Sequence, residues 1–314
     1  MRLLIVIVNY RTADLAIGAL ESLADEVGPL GARAVVVDGA SGDGSAERLR
    51  EAIAQRGWWW ASVLALDVNK GFAYGNNAAI RPALMEPDGP EVVMLLNPDT
   101  VVRPGALAAL TAFMQVQPHA GIVGPRLEEM DGTPQVSAFR AHSVLGELEH
   151  AVRLGVVSGL LRRWVVAPPA RDEPHRADWV SGACMLVRRK VFERVGLLDD
   201  GYFMYYEEAD FCRRARRAGF DCWYAPGARV VHLVSQASGG KRLPKFWYDS
   251  RRRYFVKNHG RVYAALADLA WALGHVLWRA RRAIQRRPDR DPPKMLSDFL
   301  RHSVFGAGFR IEGR

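Results

Sequence analysis

Short, wholly apolar runs alternate with longer segments of helical spacing over the first 125 residues. Leu3–Val8 is a continuous apolar run. It is too short for a secretory leader and no small-residue cleavage site follows it, so it reads as a first strand. Thr12–Ala24 places Leu15, Ala19, Leu20 and Leu23 on one helical face, and Ala34–Val37 is a second apolar run that ends in Asp38. Ser45–Gln55 predicts a helix, Ser62–Leu66 a strand, and Ala73–Met85 a helix. Val92–Leu96 predicts a strand that runs into Asn97-Pro98-Asp99-Thr100. Pro104–Val116 follows as a helix, with Pro104 suited to its first turn. Apolar strands alternating with helices predict an α/β fold, a mostly parallel central sheet with helices on both faces. Ligands of such sheets gather beyond the carboxyl ends of the strands. Asn9-Tyr10, Asp38 and Asn97–Thr100 should therefore converge on one crevice although they are far apart in sequence.

Residues 126–178 are less regular and carry the turn signal Asp131-Gly132 and the Pro/Arg-rich stretch Ala167–Arg176. They read as an insertion or a loop over the site. Trp179–Arg188 resumes a strand, Glu207–Ala218 predicts a helix, and Val230–Val234 a short strand. From Pro244 onward the pattern is helical, aromatic and basic. The organisation expected is a catalytic-sized body over 1–240 and a helical extension over 241–314. No stretch of eighteen uncharged apolar residues occurs, so no spanning helix is expected.

Charge sharpens this division. The chain of 314 residues has a formal net charge of +9. Residues 241–290 alone carry fourteen Lys/Arg against three Asp. The remainder is close to neutral, so an anionic partner is implied for the tail and not for the whole protein. Within it, Leu266, Leu269, Leu273, Val276 and Leu277 share an apolar helix with Trp271 and Trp278, followed by Arg279, Arg281, Arg282, Arg286 and Arg287. Such a helix can lie on an anionic membrane through 262–290. It can equally pack on the body, or form a homodimer contact. The three cysteines, Cys184, Cys212 and Cys222, are odd in number and lack a CxxC pair, which argues against a disulfide framework or a cysteine zinc site.

Five segments carry candidate chemistry. Asp99, at the end of a buried strand, can bind a hard divalent cation that neutralises a diphosphate, although Asn-Pro-Asp is also a common turn. Asp38 opens the loop Gly39-Ala40-Ser41-Gly42-Asp43-Gly44-Ser45, and a carboxylate there can accept from a base N–H or a ribose hydroxyl. Asp43 or Ser45 would cap the helix that follows. Asn69-Lys70-Gly71-Phe72-Ala73-Tyr74-Gly75-Asn76-Asn77 puts glycines and amides at a helix start, where phosphate or sugar hydroxyls are favoured. Its spacing is not the dinucleotide fingerprint, which counts against an NAD-dependent oxidoreductase. Glu207, Glu208 and Asp210 open a helix. They fit either favourable N-terminal charges or a carboxylate of raised pKa serving as general base. His232 ends a short strand and is either structural or a metal ligand.

Taken together and in order, these segments resemble family 2 glycosyltransferases of the GT-A fold, especially rhamnosyltransferase-like and galactofuranosyltransferase-like members. The pieces are Ile5–Tyr10, Val37–Ser45, Asn69–Asn77, Leu95–Thr100, Gly182–Arg189, Gly196–Arg213 and His232, covering about residues 1–235. The resemblance implies an inverting, metal-dependent hexosyltransferase, with 1–125 as the nucleotide-sugar half and 126–240 as the acceptor side. The donor would be a nucleotide-diphospho-sugar, with dTDP-rhamnose favoured over UDP-sugars, and the acceptor a glycan or lipid-linked glycan. By position, Asn9, Tyr10 and Asp38 would hold the base, and Asn69, Lys70, Asn76 and Asn97 would sit near the donor. Asp99 matches the last position of the family's DxD motif, with Asn97 in place of its first acid. Asp99 and His232 would hold Mg²⁺ or Mn²⁺. Glu208 matches the catalytic base, with Glu207, Asp210 and Trp179 on the acceptor side. The location implied is cytoplasmic, peripheral on the inner face of the membrane. The rival from another class is a basic nucleic-acid-binding protein, but the charge sits in one tail and no such motif is visible.

Overall fold

The computed structural model describes residues 2–233, 242–289 and 291–303. Val234, Arg290 and the tail 304–314 lie outside the described residues. In chain order the elements are β1 Leu3–Asn9, α1 Ala13–Val27, β2 Ala32–Asp38, α2 Ser45–Gln55, β3 Ala61–Ala65, α3 Phe72–Met85, β4 Val92–Leu96, β5 Thr100–Val102, α4 Ala106–Val116 and β6 Ala120–Glu128. They continue as β7 Ala138–Phe139, α5 Val144–Val152, α6 Gly155–Leu160, β8 His175–Arg176, β9 Trp179–Val180, β10 Cys184–Arg188, α7 Arg189–Val195, α8 Glu207–Arg217 and β11 Asp221–His232. Helices α9 Lys245–His259, α10 Arg261–Ile284 and α11 Met295–Ser303 close the list.

The chain divides into two compact units. The first comprises 1–139, 169–203 and 207–234, and the second 140–168, 204–206 and 235–314. Residues 140–168, expected to belong with the body, thus group with the C-terminal helices instead. The reason is packing: α5 lies along α10, and Gly274 is the contact point, where an added methyl would stand 2.8 Å from Ala151 Cβ.

The first unit is built on a mixed sheet of order β3-β2-β1-β4-β10-β6-β11-β5, with β8 paired to β11. The pairs β3-β2, β2-β1, β1-β4 and β6-β11 are parallel. Strand β10 runs antiparallel to both its neighbours, as β5 does to β11. Alternate residues of β1 enter different cores, which is why the run reads as continuously apolar. Leu3, Ile5 and Ile7 pack with Leu20, Leu49 and Leu107 from α1, α2 and α4. Leu4 and Val6 pack with Ile80, Phe192 and Phe211 from α3, α7 and α8. The mostly parallel sheet with helices on both faces is as the alternation predicts.

Three local expectations change. The predicted strand Trp179–Arg188 is two strands, β9 and β10, broken at residues 181–183. The helix expected from Pro104 starts at Ala106, because Gly105 takes φ 82° and Glu26 accepts from the N–H groups of Gly105 (2.8 Å) and Ala108 (3.1 Å). Of the short strand expected at 230–234, residues 230–232 are the end of the twelve-residue β11, and Val234 lies outside the described residues.

Candidate functional site

The strand order places β1 between β2 and β4. The chain leaves β1 to one side for β2 and β3 and returns to the other for β4, so the sheet has its switch point there. Asn9 and Asp38 end neighbouring strands in register. Asn9 Nδ2 donates to Asp38 Oδ1 at 2.7 Å. Ser41 adds its hydroxyl to the same oxygen at 2.6 Å and its N–H to Asp38 Oδ2 at 3.0 Å. Three donors thus fix this buried carboxylate and leave one acceptor position on Oδ2 open. Asn9 Oδ1 in turn accepts from the N–H and hydroxyl of Thr12 at 3.2 and 2.9 Å, tying the strand end to α1. Tyr10 is half exposed, with the Arg11 guanidinium 5.2 Å from its ring centre.

From Asp38 the contacts continue along the same rim. A methyl added to Gly39 would stand 3.4 Å from Asn9 O and 3.7 Å from Asn69 Cγ. Asn69 Oδ1 accepts from Gly71 N–H at 2.9 Å, and Lys70 Nζ lies 5.1 Å from the Tyr74 ring centre. Gly71 takes φ 92°, and any Cβ there would fall 1.8 Å from Phe203 O, which accepts the Phe72 N–H at 2.8 Å. Gly75 lets α3 close on β1, with Val8 Cγ1 2.9 Å from where a Cβ would be. These two glycines therefore serve close packing, and the N–H groups of Gly71 and Phe72 are used within the protein. They are not an open phosphate cradle of the kind the sequence suggests.

The far side of the rim carries the acidic and imidazole groups. Asn97 N–H donates to Ala183 O at 2.8 Å, and its carbonyl accepts the Thr100 hydroxyl at 2.7 Å. This closes the turn that presents Asp99. Thr100 pairs with His232 across β5 and β11, Leu233 N–H donates to Asp99 O at 2.8 Å, and His232 Nε2 stands 3.5 Å from Asp99 Oδ1. Gln135 Nε2 donates to the His232 carbonyl at 2.9 Å and holds that strand end. Gly182, next to Ala183, faces Glu208: an added methyl would stand 3.6 Å from Glu208 Cβ and 3.6 Å from the Phe72 ring. Helix α8 packs on β9, where Trp179 stacks on Phe139 with ring centres 3.9 Å apart. Contacts thus tie Asn9 to Asp38 on one side and Asn97, Asp99 and His232 to the β5–β11 end on the other, and Gly182, beside Ala183, lies near both Glu208 and the Phe72 ring.

The helix α8 sorts its three acids by phase. Glu207, Asp210 and Phe211 are spaced on one face, which is buried, while Glu208 is turned off it and is partly exposed. Asp210 is fully buried and accepts from Arg214 Nε at 2.9 Å, and Arg214 donates onward to Val195 O and Leu197 O. That is a brace between α7 and α8. Asp210 does not line an acceptor surface, contrary to the sequence reading. Asn76 is likewise fully buried, with Nδ2 donating to Phe72 O at 2.9 Å inside α3, so its side chain is not presented to a donor. Its neighbour Asn77, unassigned from sequence, clamps Leu198 in both directions at 2.8 and 3.2 Å. Glu207 keeps Oε2 without a hydrogen-bond partner among the described residues. Burial, and then the charge of Glu208, push its carboxyl well above the usual range. At Asp43 the hydrogen bonds from Ser45 lower the carboxyl, in keeping with a local cap ahead of α2.

No group of three or more His, Cys, Asp or Glu able to hold a metal occurs among the described residues. Asp99 and His232 offer two ligands. That suits a cation such as Mg²⁺ or Mn²⁺, which keeps waters and completes its shell from substrate phosphates. A cavity of about 470 Å³ lined by Arg103, Gly105, Asp131 and Arg229 opens at the opposite end of the β5–β11 pair. Its two guanidiniums are turned onto buried Glu128 at 3.0 and 2.8 Å.

Sheet order, switch point and rim define the GT-A class of nucleotide-diphospho-sugar transferases. Solved structures of this fold superpose on the chain. GalNAc-T7 with UDP, GalNAc and Mn²⁺ gives a TM-score of 0.58 at 15% identity, over 91% of this chain and 58% of that one. The mannosyltransferase PcManGT from Pyrobaculum calidifontis, with GDP-Man and Mn²⁺, gives 0.58 at 15% identity over 98% and 82%. The sequence matches Glycosyltransferase like family 2 over residues 2–253, and the chain belongs to that family. It is a nucleotide-sugar glycosyltransferase, which sets aside the nucleic-acid-binding alternative. It is 31% identical over 285 residues, 87% of each chain, to the N-acetylglucosaminyl-diphospho-decaprenol L-rhamnosyltransferase of Mycobacterium tuberculosis. It is 26% identical to the rhamnosyltransferase WbbL of Escherichia coli over 52% of this chain and 61% of that one.

Proposed function

We propose that this protein moves rhamnose from dTDP-rhamnose to a hydroxyl of a lipid-linked glycan, with inversion at the anomeric carbon. The observation that carries the reaction type is the gathering of Asp38, Asp99, His232 and Glu208 along one rim. The sugar is supported by the names of the relatives, which include a dTDP-rhamnosyl transferase of Shigella flexneri, 21% identical over 68% of this chain. A UDP-sugar donor is the competing reading. Asp38, held by Asn9 and Ser41, offers its open acceptor position to a base N–H or ribose hydroxyl, with Tyr10 beside it. Asn69 and Lys70 border the donor. Asp99 and His232 would hold Mg²⁺ or Mn²⁺, which when bound neutralises the departing diphosphate. Glu208 takes the proton of the acceptor hydroxyl as its oxygen attacks from the face opposite the leaving group, and one displacement inverts the centre. Trp179, on the strand β9 against which α8 packs, borders the acceptor side, while Glu207, also expected there, lies on the buried face of α8 with its carboxyl pushed up by burial and by Glu208. A lipid-linked acceptor brings the protein to the inner face of a membrane as a peripheral enzyme.

Glu208→Gln is expected to lower kcat by roughly 10²–10⁴ with donor affinity kept. Steady-state kinetics with calorimetric donor titration checks this, and retention of most activity removes Glu208 as base. Asp99→Ala is expected to abolish the divalent-ion dependence of donor binding. Thermal shifts with dTDP-rhamnose and UDP-sugars, with and without Mg²⁺ or Mn²⁺, read both that effect and the donor. An unchanged ion requirement contradicts the assignment of Asp99.

A further inference from the structure

Helix α10 is turned the wrong way round for a helix on the surface of a soluble domain. Its acid, Asp268, and its imidazole, His275, point inward. Asp268 meets the buried Arg251 guanidinium, and His275 Nε2 stands 3.7 Å from Asp291. Trp271, on the same apolar helix as the leucines, is also inside, stacked on Phe299 at 4.0 Å. Trp278 gives its N–H to Asp291 at 3.1 Å. The outward face carries Val262, Leu266, Leu269, Leu273, Val276 and Leu277, and it runs on to Ile284. Val262, Leu269 and Ile284 are 78%, 65% and 83% exposed. The 262–266–269–273–276 spacing of alternate four and three keeps these side chains on one line. A surface helix ordinarily shows water its polar face.

Asp289, beyond the helix end, is paired with Arg282, and the exposed charges on α10 that border this line are arginines. Arg261 precedes it, and Arg279, Arg286 and Arg287 end it, all exposed. The one acid of α10 is buried. Helix α10 has 24 residues. At 1.5 Å per residue and about 10 Å of width, the stripe offers roughly 350 Å². That is less than half of the ~800 Å² that each side of a stable dimer buries. The flanking positions Tyr263, Ala265, Ala270 and Ala272 supply no acid to pair with an arginine of a second copy. No described helix is long and apolar enough to cross a membrane.

We infer that the outward face of α10 docks the protein on an anionic lipid surface, lying in the plane of the membrane with its leucines in the acyl boundary and its terminal arginines on the headgroups. This deepens the membrane reading given with the proposed function by naming the face that makes the contact. It separates the two apolar sides of the helix: the tryptophan side holds the second unit together, and the leucine side meets lipid.

The test uses the full chain and co-sedimentation with vesicles of phosphatidylcholine alone or mixed with phosphatidylglycerol. The wild type is expected to bind the mixed vesicles, less as salt rises. The double variant Leu269→Ser, Leu273→Ser should lower the partition coefficient at least about tenfold, since two side chains leave the acyl boundary. Its thermal midpoint should hold, because both positions are exposed. Arg279→Ala with Arg286→Ala and Arg287→Ala should remove the preference for anionic vesicles. Wild-type partition by the leucine variant overturns the inference. So does a lipid-free dimer in sedimentation velocity that the same variant converts to monomer. The thermal shift of the wild type with nucleotide-sugar is measured alongside. A donor shift without vesicle binding sinks only the docking face, and vesicle binding without a donor shift sinks only the donor assignment of the proposed function.

Discussion

At the scale of single residues, the site depends on which side of a helix or strand end each polar group falls. Glu207 and Glu208 are adjacent, yet one is buried and the other partly exposed. The raised carboxyl of Glu207 makes stability depend on pH in a definite direction. A folded state that holds its proton more tightly than the unfolded chain binds more protons above the ordinary carboxylate value of 4.5. The contribution is fully present below that value and fades as pH rises through the raised one. Glu207→Gln keeps the shape and removes the ionisation. The variant should therefore gain stability relative to the wild type as pH climbs from 5 toward 9, read from urea midpoints. A difference that stays constant over that range would show that Glu207 ionises normally. The sequence holds a signal for this sorting that composition hides. Phe211, Cys212 and Ala215 mark the inward side of α8, and Glu207 and Asp210 share it by helical phase. Taken as a cluster, the three acids all read as acceptor-facing. Taken by phase, Asp210 is a brace for Arg214.

At the scale of elements, glycines decide what can approach what. Gly71 pairs a left-handed φ with a backbone oxygen 1.8 Å from any Cβ. Neither condition can be relieved by rotating a side chain. Gly71→Ala is expected to cost on the order of 3–5 kcal/mol and to displace the start of α3. Chemical denaturation reads the cost. A loss below about 1 kcal/mol would mean the loop at Phe203 yields freely. The elements legible in the sequence are those of one period: β1, β2, β4, α2 and α3 fall within two residues of where the apolar pattern puts them. The illegible ones carry turn residues inside regular structure. Strand β6 contains Gly121, Gly124, Pro125 and Arg126, where the sequence reading names no element up to residue 125 and an irregular stretch from 126 on. Yet Gly121 faces Phe220 and Val191, and Gly124 faces Val180, so small residues are what let the sheet close there. The rim residues Asn9, Asp38 and Asp99 were readable because each follows an apolar strand. Asn76 was not, since no local pattern tells a buried amide from an exposed one.

At the scale of the whole molecule, the two units are held by different physics. The first rests on apolar cores on both faces of a sheet. The second gathers α5, α9 and α10 about one buried cation. Arg251 is 1% exposed, donates to Glu147 Oε2 at 3.0 and 2.8 Å, and pairs with Asp268. Burial alone would push the Glu147 carboxyl up, but the Arg251 charge, with His142, holds it down at about 2. A depressed folded value stabilises above the ordinary 4.5 and loses that contribution as pH falls through about 2. Arg251→Ala takes from the buried carboxylates of Glu147 and Asp268 their shared guanidinium, leaving His142 3.8 Å from the first and Arg252 3.7 Å from the second. It should cost about 3–5 kcal/mol at neutral pH. That corresponds to a thermal midpoint lower by on the order of 10 °C. The same substitution removes the charge that lowers Glu147, so the acid limb of the stability curve between pH 4.5 and 2 should flatten. A neutral-pH loss accompanied by an unchanged acid limb would mean that packing of the Arg251 stem on Phe255 and Phe299, each about 5.0 Å from the guanidinium carbon, carries the effect and that the ion pairs do not.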